Sequence, residues 1–240
     1  MRERGRRLLQ DGRYLTVVVV VATLAFHLLY LVRVTHEAAE FLLREDNVVE
    51  WATFLSLFTA MVVGLRVALR ARRAAAPVLV WSFFLFFALG VLVVAMEEIS
   101  WGQWVFFWKT PGTWRHLNEQ GETNLHNLPG LWGRSEWLRL LFAGGALVGV
   151  WADRIPRLRP IATPRSLTGY FLFTTGYVLF DLVDDLIPGA PWILTTFSPM
   201  SEWVEMLIGF GALAYFVIKA WDFLQGAAPA DTPSRVAIGK

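Results

Sequence analysis

Cysteine is absent from the 240-residue chain, which excludes disulfides, iron–sulfur centres and thiolate-bound zinc. Histidine is sparse, with four residues. No H-E-x-x-H helix, EF-hand loop or repeated Glu-x-x-His of a di-iron bundle occurs. Charge is scarce too. Asp, Glu, Lys and Arg make up 18% of the chain, where a soluble globular domain carries about 25%. The net charge of +2 and the pI near 9.1 do not point to nucleic acid, because the basic residues fall in short turns between apolar runs and build no binding module.

What the chain has is apolar sequence, 55% of it, gathered in runs of roughly 18 to 21 residues. That is the length needed to cross a bilayer core of about 30 Å. The fold expected is all-α: a polytopic transmembrane helix bundle of about six spans over residues 1–226, followed by an Ala-, Pro- and Ser-rich disordered tail over 227–240. The spans run from Tyr14 to Val34, Trp51 to Leu69, Pro77 to Ala95, Trp137 to Trp151, Leu167 to Ile187 and Trp203 to Trp221. The first follows Arg2, Arg4, Arg6, Arg7 and Arg13, as a signal peptide would, yet no small-x-small cleavage site closes it. It reads as a retained helix. Between the third and fourth runs lies the longest polar region, Ile99 to Glu136. It opens on Trp101, Trp104, Phe107 and Trp108, whose spacing predicts a short interfacial helix with one aromatic face. Pro111-Gly112 ends it.

The charges sort by side. With the N-terminus in the cytoplasm, sixteen of the 22 Lys and Arg residues fall on the cytoplasmic side, the positive-inside pattern. Fifteen of the 20 acids fall on the other side, with His36, His116 and His126. Several of these acids sit at helix ends, where charge beside hydrocarbon is costly and needs a purpose or a partner. Glu97 and Glu98 close the third run. Asp181, Asp184 and Asp185 share one face of the fifth. Glu202 and Glu205 open the sixth, and His36 and Glu40 lie just beyond the first.

If these ends converge they form an acidic cup, tolerable with protons, basic partners or a bound cation. The candidate metal ligands are Glu97, Glu98, Asp181, Asp184, Glu205 and His36. Carboxylate oxygens favour Ca²⁺, Mg²⁺ or Mn²⁺, and a histidine would admit Zn²⁺. Beside the cup, Asn118, Gln120, Glu122, Asn124 and His126 alternate, so an extended strand would present them on one face. Glu98, His126 and Glu122 are the candidate acid–base residues. Gln103, Asn118, Gln120 and Asn124 are the candidate substrate contacts.

The string Glu97-Glu98-Ile99-Ser100-Trp101-Gly102-Gln103, then Thr110-Pro111, then Asn118-Glu119-Gln120-Gly121-Glu122-Thr123-Asn124-Leu125-His126-Asn127 resembles a family of uncharacterised bacterial multi-pass membrane proteins. Glu45-Asp46-Asn47 with Glu50-Trp51 is similar to part of the same pattern. The resemblance covers about a third of the chain and implies a place in the bacterial cytoplasmic (inner) membrane, with no activity attached. A fainter likeness is to alkaline ceramidases, membrane hydrolases with an acidic calcium site and a histidine zinc site. This chain lacks their His-x-x-x-His pair on a late helix.

Three functions fit these features. One is an enzyme acting on a lipid or lipid-linked substrate through a metal-activated water or an acid–base pair. A second is a structural or assembly subunit of a membrane complex. A third is a cation- or proton-coupled transporter, against which the two halves show no internal repeat. Membrane lipids are the expected partners. Both termini are expected in the cytoplasm. Reporter fusions after Arg73 and Gly226 should give cytoplasmic signals, and one within Glu119 to Asn127 the opposite. A non-cytoplasmic signal at Gly226 would overturn the six-span topology.

Overall fold

The structure is a computed structural model describing residues 12–43, 47–118, 121–125, 135–186, 197 and 200–225. The chain is an all-α, polytopic helix bundle and a membrane protein. Its helices are α1 (Gly12–Leu31), α2 (His36–Leu43), α3 (Val48–Arg73), α4 (Val78–Glu98), α5 (Gln103–Phe106), α6 (Gly112–Leu117), α7 (Ser135–Trp151), α8 (Thr168–Leu186) and α9 (Ser201–Gln225). The expected tail lies outside the described residues.

Among the described residues, five segments are long and apolar enough to cross a membrane: Tyr14–Leu31, His36–Arg73 (which contains α3), Val78–Glu98, Arg165–Val183 and Ser201–Leu224. The fourth expected span, Trp137 to Trp151, forms the helix α7, but its 17 residues reach only about 25 Å at 1.5 Å per residue. That falls short of a typical hydrocarbon core.

Burial within the protein explains why these helices need lipid. Only 11% of Tyr14–Leu31 is covered by the rest of the chain. Val17, Val21, Leu24 and Leu28 of α1 are exposed, as are Phe86 of α4 and Leu141 and Val148 of α7. Apolar patches of this extent mark contact with membrane or partner surfaces.

The tightest packing joins α3 to α4 and α9. Leu57, Ala60, Val67, Phe84, Ala88, Ala212 and Phe216 form its core. Small residues let the helices approach closely. A Cβ on Gly64 would stand 2.7 Å from the Phe216 ring and 2.9 Å from Ala88 Cβ. A smaller cluster joins Phe26 of α1 to Tyr177 and Val178 of α8 and to Val204 of α9. There the Phe26 and Trp203 rings stack at 4.3 Å, and His27 Nδ1 lies 2.5 Å from the Tyr177 hydroxyl.

Two local expectations are corrected. The acidic stretch after the first run includes a helix, α2, whose Ala39 and Leu43 are buried. The stretch from Trp101 to Trp108 is not one amphipathic helix. Ser100, Trp101 and Gly102 take φ of 45°, 57° and 83°, and Phe107 turns left-handed at φ 56° to stop α5 after one turn. A right-handed helix cannot run through such residues. Four helical residues are also far too few to cross a bilayer.

At the other end of the bundle, residues 152–167 fold into consecutive 3-10 turns. Asp153 holds them by accepting from Arg159 at 3.2 Å and pairing with Arg165 at 3.1 Å. Tyr215 donates from α9 to the Ile161 carbonyl at 2.7 Å. The bundle therefore has an acidic end and a basic end.

Gly64→Val should lower the thermal midpoint of the purified protein in detergent, at a cost of about 1–3 kcal/mol, typical for overpacking a closed interface. An unchanged midpoint would show that Phe216 can yield.

Candidate functional site

Acidic ends of α3, α4, α7, α8 and α9 contribute to one region. Glu98, on the last turn of α4, is 6% exposed. It meets Glu202 and Glu205, which lie one turn apart at the start of α9. One carboxylate oxygen from each lies within 4.8 Å of the others. Glu50 of α3 adds a further negative charge within the field of Glu98. This follows from the direction of the helices: α4 ends where α3 and α9 begin, and those three are the most closely packed elements.

Beside the trio stands Arg139 of α7, 4% exposed. Its Nη1 donates to Asp181 Oδ2 at 3.1 Å and its Nη2 to Glu136 Oε1 at 2.9 Å. Its Nε lies 3.6 Å from Glu205 Oε1. One guanidinium thus joins α7, α8 and α9, and Glu205 belongs to both the ion-pair group and the trio. Asp181, 3% exposed, is held by arginine.

The second group is built from the two sequence motifs, which bond to each other. Ser100 donates to Glu122 Oε2. Asn124 Nδ2 donates to the same oxygen at 3.0 Å and to Ser100 Oγ at 3.1 Å. Gln103 Oε1 accepts from the Thr123 amide at 3.0 Å and from Thr110 Oγ1 at 3.2 Å. Glu97 accepts from the Trp101 indole and from the Leu125 amide. Neighbouring residues on a helix point about 100° apart, so Glu97 can serve this loop while Glu98 serves the trio.

The loop does not present its polar residues on an extended strand. Asn118 Nδ2 donates to Asn124 Oδ1 at 2.7 Å, and Asn118 Oδ1 accepts from the Glu122 amide at 3.0 Å. Gly121, with φ 70°, permits the reversal between them. Asn118 and Asn124, 4% and 2% exposed, use their amides to hold the loop closed.

Of the remaining candidates, His36 sits on α2, where Nδ1–H donates to the Tyr30 carbonyl at 2.7 Å and Nε2 lies 3.9 Å from Glu40. No histidine among the described residues joins the trio. Asp184 lies on α8, and its side chain is outside the described residues, as are Gln120 and His126. Sequence reasoning placed Glu202 only as an acid at a helix start, and it called for basic partners of the cup without singling out Arg139. Both prove central. Their shared signal was a charge in the first turn of an otherwise apolar run.

Glu98 and Glu205 of the trio stand with Arg139 at one end of a cavity of about 360 Å³. Its walls are Leu57, Phe87, Val91, Val94, Leu138, Leu141, Phe142 and Ile208, with Glu97, Glu98, Arg139 and Glu205 at the polar end. Gly90 and Val94 of α4 and Leu138 and Leu141 of α7 line it and are themselves exposed. The mouth therefore faces sideways between two apolar helix surfaces. No protein-family model, curated protein or solved structure matches the chain, so its chemistry is read from this geometry.

Arg139→Met should destabilise the protein by about 3–5 kcal/mol, the usual consequence of leaving a buried acid without its partner. Adding Asp181→Asn should restore part of the loss. Unfolding in graded denaturant would measure both. Equal stability of Arg139→Met and wild type would remove Arg139 as the electrostatic tie.

Proposed function

We propose that this protein is a membrane-embedded enzyme that binds a divalent cation at Glu98, Glu202 and Glu205 and acts on a lipid or lipid-linked substrate in the adjoining cavity. The observation that carries the reading is the carboxylate trio, two of whose members line the polar end of an apolar cavity. Three ionised carboxylates this close repel one another unless a proton or a cation intervenes. Oxygens around one ion stand at most about twice the ion–oxygen distance apart, or about 4.1 Å for Mg²⁺ and up to about 5.2 Å for Ca²⁺. The separations within 4.8 Å suit Ca²⁺ directly and Mg²⁺ or Mn²⁺ after a small closure. An all-oxygen donor set favours these ions over Zn²⁺.

A bound cation would polarise an ester, amide or phosphoryl oxygen and lower the pKa of a coordinated water. The protein's part is to hold that centre at the boundary of the apolar cavity. Acyl chains would lie against Phe87, Val91, Leu141 and Phe142, while Arg139 orients Glu205 and offers positive charge to a polar headgroup. Glu122 with His126 stands as the proposed acid–base pair. Gln103, Asn118 and Asn124 hold the shape of the loop that bonds to Glu97. We further propose membership of the bacterial multi-pass family that carries the two motifs, with both termini in the cytoplasm.

A second reading, a structural subunit, draws on the way Arg139 ties three helices together. Metal binding separates the two. Wild-type protein in detergent should bind Mn²⁺ with a stoichiometry near one by electron paramagnetic resonance. Glu98→Gln and Glu205→Gln should each weaken binding by at least about tenfold, the equivalent of about 1.4 kcal/mol. A chelator should lower the thermal midpoint, and added Mn²⁺ should restore it. Absence of Mn²⁺ binding, with a midpoint indifferent to chelator, would favour the structural subunit. Gly90→Trp tests the cavity: a Cβ there meets nothing within 4 Å, so the indole should block the mouth while leaving Mn²⁺ binding intact.

A further inference from the structure

The basic end of the bundle carries a separate groove. It lies between the last turns of α3 and α9 and encloses about 580 Å³. Helix α3 presents Val63, Arg66, Val67, Arg70 and Arg73 to it, and α9 presents Val217, Ala220, Trp221 and Leu224. Both sets follow the three- and four-residue spacing of one helix face. The groove exists because α3 and α9 run in the same direction and pack closely higher up, where Gly209 faces Ser56 and Gly64 faces Phe216. Bulkier residues open the gap below.

The three arginines form a ladder. Seven residues separate Arg66 from Arg73, about 10 Å along the helix axis. Arg73 stands at the helix end, and Arg66 stands two turns deeper on a candidate span. An arginine at that depth needs a partner or a path to water. All three are exposed, and no carboxylate among the described residues forms an ion pair with any of them. Arg72, on another face, lies over the Trp81 ring at 5.5 Å, so it belongs to a different surface. The Trp221 Nε1 is buried with no hydrogen-bond acceptor among the described residues. The groove therefore joins an apolar wall to a line of guanidinium groups that form no ion pair with any described carboxylate, near the end of a candidate span.

We propose that this groove binds one anionic phospholipid, with its phosphate on Arg70 and Arg73 and the upper part of an acyl chain along Val63, Val67, Val217 and Leu224. Guanidinium forks suit phosphate oxygens bidentately. Basic pockets between membrane helices are a recurrent setting for anionic headgroups. The lipid's chain covers apolar surface that a free phosphate ion would leave bare. Occupation would join α3 to α9 at the end opposite the acidic trio, so the site is independent of the proposed enzymatic function and survives its failure.

The test uses the full-length protein in a non-ionic detergent, with phosphatidylglycerol, phosphatidylcholine or inorganic phosphate added. Native mass spectrometry would count bound lipid, and thermal unfolding would follow its effect. The expected result is one retained phosphatidylglycerol, bound at least about tenfold more tightly than phosphatidylcholine and accompanied by a higher midpoint. The triple variant Arg66→Lys, Arg70→Lys and Arg73→Lys keeps the charge that sets topology but loses the fork geometry. It should lose most of that preference while keeping its lipid-free midpoint. Equal retention of the two lipids by wild type would overturn the site, whatever the variant does. So would an equal rise in midpoint with inorganic phosphate alone, or an undiminished preference in a folded triple variant.

Discussion

Arg139 holds carboxylates from three places at once, buried within the bundle, where each unpaired charge would cost several kcal/mol. Glu136 comes from its own helix, Asp181 from α8 and Glu205 from α9. These contacts fix where α9 begins relative to α7 and α8, and α9 is also the helix that packs most closely on α3. The position of Glu205, and with it the approach of Glu202 to Glu98, follows from this electrostatic tie. Packing of the apolar core sets the distance between helices. The guanidinium sets their register at the acidic end.

Along its length the bundle separates shape from charge. In the middle, Gly64, Ala88 and Phe216 give a close, uncharged seam. At the acidic end, α3, α4, α7, α8 and α9 each bring at least one carboxylate to a common level. At the other end, arginines collect, and Asp153 organises two of them into a compact turn. The middle gives close packing, and the ends carry the chemistry. Such a division suits a chain whose middle lies in hydrocarbon, where a polar group is tolerated only with a partner.

Most of the helices were legible in the sequence because length and apolarity report directly on the bilayer. What was not legible depended on three-dimensional register. The approach of Glu98 to Glu202 requires α4 and α9 to stop and start at one depth and to face each other, and no spacing along the chain encodes that. Helix α2 was hidden because its eight residues, three of them His or Glu, read as a solvated stretch. Trp101, Trp104, Phe107 and Trp108 suggested a helix by their periodicity. The backbone instead turns left-handed at Ser100, a feature of individual dihedrals that residue pattern does not reveal. The two polar motifs were recognised as a pair, and their mutual bonding explains the pairing: Ser100 and Gln103 of the first need Glu122, Thr123 and Asn124 of the second.

The sideways mouth of the cavity, between exposed Gly90 and Val94 on one side and Leu138 and Leu141 on the other, governs how any occupant arrives. If that mouth lies in the membrane, a molecule entering there would diffuse in two dimensions through the leaflet and would reach Glu98 without leaving the hydrocarbon. Encounter then scales with mole fraction in the membrane, so diluting the surrounding lipid or micelle with inert amphiphile slows the process at constant bulk concentration. Very hydrophobic molecules, nearly absent from water, become ordinary occupants of such a site.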